Sequence, residues 1–389
     1  MKEGWEYKKL GEVCESKKAI LRAKSAYSAD DIIQYADISA IDNESKRIGH
    51  FTSYKFSEAP SRAQQCVVEK DILYSLVRPN LQNIAILPHL DETNIVASSG
   101  FCVLRASSAN ACFLYYLLMS KAFTDYILGL VSGANYPAVR EDDVKNYKFA
   151  FPPLSEQQAI VEELDLLNAI IDKKTQELEE LDKLAQSIFY DMFGDPMENE
   201  KGWEVKKLSE LSSKIGDGLH GTPSYVENSG YYFVNGNNLE KGSIVYNKKT
   251  KQVSKEEYDK YYIEFGKQTI FVSINGTIGK LAYYRGEQII LGKSACYINL
   301  KENVNKVFIY SILSSDYFKK YTMGEKTGST ISNVSLKSIR FFPVPLPPLS
   351  LQQQFAARIS AIEQMKEKVA ASIAEVQTLL AATMDKYFG

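Results

Sequence analysis

The chain has 389 residues, of which 45% are hydrophobic and 24% are charged, and its formal net charge at pH 7 is −2. This composition is typical of a soluble globular protein with two or three domains, and the net charge gives no indication of a nucleic-acid-binding protein. The five cysteines are scattered without a CxxC pair and the histidines number only three, which argues against a disulfide scaffold and a metal centre. No apolar run approaches the roughly 18 residues that span a membrane, and the charged N-terminus lacks a signal peptide, so we expect a cytoplasmic protein.

The first 150 residues predict a mixed α/β domain. Three short runs have strand-like composition, namely IIQYADIS, DILYSLV and FCVLRA, and turn signals such as Arg78-Pro79-Asn80 separate them. This part of the chain carries 18 Lys and Arg against 18 Asp and Glu. It therefore has no net charge.

Residues 151–194 predict one long acidic helix, with 3 basic against 10 acidic residues. Apolar side chains recur at alternating spacings of four and three residues, broken once by Lys174, as in a coiled coil, because a period of 3.5 keeps one stripe facing a partner helix. Ser155 and Gln158 have the spacing of a capping box, and Gly194 stands where a helix-ending glycine is expected. The predicted seam consists of Ile160, Leu164, Leu167, Ile171, Leu178, Leu181, Ala185, Ile188 and Met192.

Residues 195–345 predict a second mixed α/β domain. Its strand-like runs are YYFVNGNNL, QTIFVSI and ACYINL, and Asn275-Gly276 is a turn signal. This part carries 21 basic against 16 acidic residues. The excess is compatible with a local basic cleft and equally with an ordinary solvated surface.

Residues 346–389 repeat the long helix, with Ser350 and Gln353 at its start and Gly389 at its end. Its seam has the same spacing and the same break, at Lys366. Two equivalent seams in one chain pair most simply with each other in an antiparallel coiled coil, although each could also be buried within its own domain. The seam consists of Phe355, Ile359, Ile362, Val369, Ile373, Val376 and Leu380.

The chain is an internal repeat of domain size. The repeated pairs are GWEYKKLGEV at 4–13 with GWEVKKLSEL at 202–211, PPLSEQQ at 152–158 with PPLSLQQ at 347–353, and Phe193-Gly194 with Phe388-Gly389. Such a period is too long for a solenoid or propeller unit. The sequence therefore predicts an α+β (mixed α/β) fold class, in which two similar globular domains are joined by two long helices with pseudo-two-fold symmetry.

Motifs for catalysis are missing from the sequence. There is no GxGxxG after a strand and no Walker A motif, and the run from Gly276 to Lys280 is interpreted as a hairpin turn. No Ser/His or Cys/His pairing is evident, so nucleophilic catalysis has little basis. We expect a chain that is not an enzyme.

The repeated motifs resemble those of the specificity subunits of type I restriction-modification systems. The resemblance lies in GWE-x-KKL at the start of each half, FPPLSEQQ and LPPLSLQQQ at the start of each long helix, and the FG that ends it. YSLVRPNLQNIAI in the first half, and IGDGLHGTPSY, YYFVNGNNL and SINGTIGKLAYY in the second, also match. Together these segments cover nearly the whole chain in the family's order.

The resemblance implies a non-catalytic subunit that reads DNA. Its target recognition domains would be residues 1–150 and 195–345, each binding one half of a split asymmetric site on double-stranded DNA, and residues 151–194 and 346–389 would be the spacer helices. Two methyltransferase subunits would bring S-adenosylmethionine, and restriction translocase-nuclease subunits would use ATP and Mg, so that this chain binds no cofactor itself. The alternatives are a coiled-coil adaptor with non-DNA ligands and a self-sufficient DNA-modifying enzyme.

Candidate DNA contacts are loop residues with side chains that reach bases or phosphates. Each could instead be a turn former or a solvated surface residue. The strongest candidates are Arg62, Arg78, Asn237 and Lys280. The full set is Lys17, Lys18, Arg22, Lys24, Arg62, Arg78, Asn80, Asn135 and Tyr136 in the first domain, and His220, Thr222, Asn235, Asn237, Asn238, Asn275, Thr277, Lys280, Lys293, Lys326 and Ser329 in the second. The off-seam acids Glu162, Glu163, Glu177, Glu179 and Glu180 are either a partner interface or a solvated helix exterior.

Overall fold

The computed structural model describes residues 4–43, 45–90, 94–131, 137–324 and 333–389. The chain divides into two compact units. Unit 1 is Met1–Thr175 together with Ala371–Gly389, and unit 2 is Gln176–Ala370. Both units mix helices with small sheets. Among the described residues, no helix combines the length and apolarity needed for a membrane crossing.

In its described residues, unit 1 begins with nine short strands and four short helices, followed by a long helix that continues into unit 2. The strands are β1 (Glu6–Lys9), β2 (Ile32–Ala36), β3 (Thr52–Lys55), β4 (Ala63–Cys66), β5 (Ile72–Ser75), β6 (Ile84–Ile86), β7 (Ile95–Ser98), β8 (Phe101–Leu104) and β9 (Lys148–Phe151). The helices are α1 (Ala23–Ala26), α2 (Ala111–Met119), α3 (Lys121–Gly129), α4 (Glu141–Lys145) and α5 (Leu154–Phe193).

The described strands of unit 1 form three sheets. One has the order β3-β2-β7-β4, with β2 and β7 parallel, and a second has the order β6-β5-β8. Strands β1 and β9 pair as an antiparallel ribbon that joins the start of the chain to the residues just before α5. Strand β5 is buried along its whole length.

Over the residues that the structure describes, unit 2 repeats this plan with more strands. The strands are β10 (Glu204–Lys207), β11 (Ser212–Asp217), β12 (Tyr225–Val226), β13 (Tyr231–Val234), β14 (Leu239–Glu240), β15 (Ser243–Ile244), β16 (Lys251–Val253), β17 (Thr269–Ser273), β18 (Leu281–Tyr283), β19 (Ile289–Leu291), β20 (Ala295–Leu300) and β21 (Pro343–Leu346). The helices are α6 (Lys255–Lys260), α7 (Lys306–Ser314), α8 (Asp316–Gly324), α9 (Leu336–Phe341) and α10 (Leu349–Phe388).

The sheets of unit 2 correspond to those of unit 1. The order β11-β20-β17-β18 contains the counterpart of β8-β5-β6, and β12-β16-β13-β19 again holds a parallel pair, β13 with β19. Strands β10 and β21 form the ribbon that precedes α10, as β1 and β9 precede α5. The remaining two-stranded sheet pairs β14 with β15.

The two long helices pair in opposite directions within each unit. In unit 1 the first turns of α5 share a core with the last turns of α10, where the rings of Phe113 and Phe388 lie 5.3 Å apart. In unit 2 the end of α5 meets the start of α10, and the ring of Phe193 lies 4.9 Å from Phe308 and 5.1 Å from Phe355. Each helix therefore begins in the core of one unit and ends in the core of the other.

The residues of the predicted seam differ in burial from the charged residues between them. Every seam residue in both helices is buried or half-buried, while the charged positions between them are exposed. At the break in the second seam, Lys366 Nζ lies 2.7 Å from Asp182 and 3.0 Å from Glu363. Burial alone would lower the pKa of Lys366, but the two carboxylates outweigh it and the pKa lies above its ordinary value. The break therefore keeps its charge against the partner helix.

The predicted helix ends are partly wrong. Both helices begin at the leucine before the predicted cap, so Ser155 and Ser350 lie inside the first turn and the capping boxes do not form. Gly194 ends α5 with a φ of +77° and its N–H bonds to Tyr190 O, as predicted. The N–H of Gly389 likewise bonds to Asp385 O at 2.9 Å, but Gly389 does not adopt a positive φ.

Candidate nucleic-acid interface

The loop between β19 and β20 connects the candidate residues of unit 2. Ser294 Oγ donates to Asn235 Oδ1 at 3.0 Å and accepts a hydrogen bond from the N–H of Gly236 at 2.9 Å. The N–H of Ile274 donates to Ser294 O, and Asn275 Nδ2 lies 3.4 Å from Lys293 O. This loop therefore joins the turn at 235–238 to the hairpin at 274–280.

The hairpin at 274–280 connects β17 to β18, as predicted. Gly276 and Gly279 adopt φ values of +74° and +87°, which only glycine adopts readily. The buried Ser273 Oγ donates to Thr277 O at 2.6 Å and accepts from the N–H of Lys280 at 2.8 Å. The side chain of Thr277 is exposed, and that of Lys280 is half-buried.

The glycine-flanked loop at 217–222 lies against the same connecting loop. Leu219 N–H donates to Leu291 O at 2.7 Å, and Lys293 N–H donates to Leu219 O at 3.1 Å. His220 is exposed, and its Nε2 lies 2.7 Å from Asp217 Oδ2. Thr222 is also exposed. The backbone thus brings three candidate loops of unit 2 together on one connecting loop.

Two neighbouring asparagines in the 235–238 turn have different surroundings. Asn237 is exposed. Asn238 is 7% exposed, and its Nδ2 donates to Val245 O at 3.0 Å and to Thr250 Oγ1 at 3.1 Å. Its Oδ1 accepts from the N–H of Asn235 at 3.0 Å. The amide of Asn238 is therefore engaged within the domain.

Unit 1 has an equivalent loop between β7 and β8. The N–H of Ser99 donates to Arg62 O at 2.8 Å, and the N–H of Leu76 donates to Gly100 O at 2.9 Å. The side chains of Arg62 and Arg78 are exposed. This connecting loop joins the segment of Arg62 to the turn that carries Arg78.

The turn at Arg78 is built like the hairpin of unit 2. Ser75, buried at the end of β5, donates its Oγ hydrogen bond to Val77 O at 2.8 Å. Arg78 has a φ of +50° and precedes a single 3₁₀ turn, Pro79–Leu81, in which Asn80 is exposed. Ser75 and Ser273 were missed from the sequence, although they stand at the ends of equivalent strands, 198 positions apart.

The basic residues near the N-terminus have mixed surroundings. Lys17 forms an ion pair with Glu141. Lys18, Arg22 and Lys24 are exposed, and the backbone of Arg22 bridges to β4. Asn135, Tyr136, Lys326 and Ser329 lie outside the described residues. As DNA contacts, all these residues stay predictions.

The acids off the seam of α5 are exposed, namely Glu162, Glu163, Glu177, Glu179 and Glu180. Glu163 Oε2 accepts a hydrogen bond from Tyr387 Oη at 2.6 Å in unit 1. Within the described parts of the chain, no three His, Cys, Asp or Glu side chains are grouped as metal ligands.

The fold and the loops together are those of an internally duplicated protein built for recognition. Each of its two similar domains carries a cluster of loops, and both domains share a pair of long helices. A family model described as the type I restriction modification DNA specificity domain matches residues 2–183 and again residues 200–377. The chain belongs to this family.

Curated proteins similar to this chain are specificity subunits of type I restriction enzymes. The chain is 24% identical to the type I restriction enzyme MjaIX specificity subunit of Methanocaldococcus jannaschii over 66% of its own length and 62% of that protein. It is 32% identical to the MjaVIII specificity subunit of the same organism over 30% of its own length and 29% of that protein. A solved chain from work on complex assembly and conformational transition of the type I R-M system covers 99% of this chain and 98% of its own, with 25% identity and a TM-score of 0.62. The alignments cover less than two thirds of either curated relative.

Proposed function

We propose that this chain is the DNA-specificity subunit of a type I restriction-modification complex. The observation that carries the proposal is the doubled match to the specificity domain, at residues 2–183 and 200–377. One polypeptide with two such domains suits a split target, because each domain can read its own half-site. The subunit is non-catalytic and directs the methylating and restricting subunits to that target.

Residues 1–150 and 195–345 are the two target recognition domains, and residues 151–194 and 346–389 are the spacer helices. The antiparallel packing within each unit supports this division, since each helix starts in one domain core and ends in the other. A rigid spacer sets the distance between the half-sites, because modules that read grooves must reach the same face of the duplex.

The exposed side chains of the loop clusters are the base and phosphate contacts. Arg62 and Arg78 serve this role in the first domain, and Asn237, Thr277 and Lys293 serve it in the second. All five are exposed at the loops that the β7–β8 and β19–β20 connections hold together. Arg and Asn can make paired hydrogen bonds to guanine and adenine edges, respectively.

Two methyltransferase subunits bind around the helix pair. The internal repeat supports this number, because near two-fold symmetry presents the same surface twice. S-adenosylmethionine belongs to these partners, and ATP and Mg belong to the translocase-nuclease subunits. The non-DNA adaptor is not favoured by the family match.

The test is co-expression with the methyltransferase partner in a host that lacks DNA methylation, followed by genome-wide mapping of methylated adenines. We expect a split, asymmetric motif that appears only when both proteins are present. A purified complex that leaves the genome unmethylated would contradict the proposal. Steep loss of DNA binding with rising salt would then separate a DNA-binding protein from an adaptor.

Replacement of residues 1–150 by the equivalent domain of a relative tests the division into domains. One half of the motif should change and the other half should stay. A change in both halves would overturn the assignment of one domain to each half-site.

A further inference from the structure

Unit 2 carries a basic segment that stands apart from the candidate loops. Between Glu240 and Glu256 the sequence reads KGSIVYNKKTKQVSK, with five lysines and no acidic residue. In a chain with a net charge of −2, this concentration of positive charge is local. The segment spans the connection from β14 to the start of α6.

All five of these lysines are exposed, and three of them lie close together along the chain. Lys248 and Lys249 are exposed in the loop before β16, and Lys251 is exposed at its first position. In the described portion of the chain, no carboxylate lies within 4.0 Å of any of the three ammonium groups, whereas Lys255 and Lys260 are paired with Asp259 and Glu257. The charge of the loop is therefore not neutralised within the domain.

The loop is held in a fixed conformation. Thr250 Oγ1 accepts a hydrogen bond from the N–H of Asn247 at 2.9 Å, and Asn247 Oδ1 accepts one from the N–H of Lys249 at 2.8 Å. Asn238 Nδ2 donates to Thr250 Oγ1 and to Val245 O. Asn238 is adjacent to the exposed Asn237, so one buried amide fixes the basic loop to the candidate reading turn.

An aromatic pair supports the base of the loop. The rings of Tyr246 and Tyr232 are stacked with centroids 4.1 Å apart, and Tyr246 remains 42% exposed. Burial, with Glu287 and Tyr232 nearby, raises the pKa of Tyr246 to about 12. A tyrosine hydroxyl is protonated at neutral pH even at its ordinary pKa, so this one can donate a hydrogen bond to an anion.

The equivalent connection of unit 1 is built differently. It joins β2 to β3, and its cations are engaged internally. Lys46 Nζ donates to Leu81 O at 3.3 Å and to Gln82 O at 3.0 Å, and Arg47 pairs with Asp172 at 2.6 Å. An unneutralised basic loop at this place in the fold is therefore a property of the second domain.

We propose that Lys248, Lys249 and Lys251 form a phosphate clamp that grips the DNA backbone beside the half-site read by the second domain. The inference rests on the proposed DNA-binding function. The clamp contributes affinity without sequence preference, because phosphates are alike at every base pair. The hydrogen bonds of Asn238 connect the clamp to the turn at 235–238, so that phosphate binding fixes where this turn meets the duplex.

The test compares the full chain, in complex with its methyltransferase subunits, with the variant K248Q/K249Q/K251Q. The matched control is K319Q/K320Q/K337Q, which removes the same charge from exposed lysines on α8 and α9. Dissociation constants are measured from 50 to 200 mM salt on two 40-base-pair duplexes. One duplex carries the methylation motif mapped for this chain, and the other has a scrambled sequence.

Loss of three phosphate contacts should reduce the slope of log affinity against log salt by about 2.7, since each phosphate contributes about 0.9. The ratio of wild-type affinity to variant affinity then shrinks by about 40-fold between 50 and 200 mM salt. We expect the same loss on both duplexes and an unchanged methylation motif. A slope equal to that of the wild type or of the control variant, or a changed motif, would overturn the clamp. Failure of the wild-type complex to bind either duplex would instead overturn the proposed function.

Discussion

The backbone N–H of Asn110 donates a hydrogen bond of 2.8 Å to Oε1 of Gln157, 47 residues later in the chain. In unit 2 the same bond joins Asn305 to Gln352 at 2.9 Å. Both glutamines are buried, and the Nε2 of each donates to the carbonyl oxygen of the first proline of the PPL-S motif at 2.8 Å. The repeated PPL-S-x-Q motif thus fastens the start of each long helix to the N-terminus of a domain helix.

The substitution Gln157→Leu should destabilise the protein. It leaves the half-buried N–H of Asn110 and the buried carbonyl of Pro152 without these partners, so the free energy of unfolding should fall by about 2 kcal/mol or more. Urea unfolding followed by circular dichroism measures the change. The control is Gln158→Leu at the exposed neighbour. Equal effects of the two substitutions would contradict the role of Gln157.

The loss of stability caused by truncating a leucine of α5 should depend on whether that leucine is buried in the seam. Leu164 is fully buried, whereas Leu166, two residues later on α5, is 62% exposed. Leu164→Ala should lower the free energy of unfolding by about 2–5 kcal/mol through lost burial and a cavity. Leu166→Ala should change it by about 0.5 kcal/mol or less. A reversed order in urea unfolding would refute the seam.

Substitutions of the adjacent Asn237 and Asn238 should distinguish a residue that contacts a base from one that only holds the loop in place. Asn237→Ala should leave the free energy of unfolding within about 0.5 kcal/mol of the wild type. It should relax the mapped motif at one position, where a paired base contact is worth about 1–3 kcal/mol. Asn238→Ala removes a buried amide and should lower the free energy of unfolding by about 1–3 kcal/mol. An unchanged motif with Asn237→Ala would remove this residue from the candidate contacts.

Glu141 should make stability depend on pH in the acid range. Burial alone would raise its pKa, but Lys145, at 2.8 Å, and Lys17 outweigh this and hold the pKa below its ordinary value. A carboxyl whose pKa is lower in the folded state stabilises the fold above its unfolded pKa of about 4.3 and loses that contribution as the pH falls through the folded value.

The difference in free energy of unfolding between the wild type and Glu141→Gln should therefore be constant above about pH 5.5 and shrink below about pH 4.3. Urea unfolding at a series of pH values measures the difference. Asp142→Asn, at an exposed position of the same helix, reports the loss of a charge without these two lysines. A difference between wild type and Glu141→Gln that grows with acid would have the wrong sign for this ion pair.

The sequence predicted the long elements better than their ends. The seam from Ile160 to Met192 was identified because a heptad pattern is a local property that repeats many times. The caps at Ser155 and Ser350 were wrong, because the helices begin at Leu154 and Leu349 and each serine lies inside the first turn. Loop residues such as Asn238 looked like DNA contacts, since residue type alone does not reveal whether a side chain is buried.

The amino-acid sequence by itself determined the duplication, the two long helices and the family, because these are carried by spacing and repeated motifs along the chain. Tertiary structure decided which polar groups meet. In the repeated GWE motif, Trp203 Nε1 donates to the carbonyl of Phe193 at 2.9 Å, whereas Trp5 Nε1 donates to Glu156 Oε2 at 2.8 Å. The position equivalent to Glu156 is Leu351, which offers no acceptor, and the indole of Trp203 donates to a backbone carbonyl instead. The sequence shows that the carboxylate is missing, but which carbonyl takes its place depends on distances of a few tenths of an ångström, which arise only when the segments have packed.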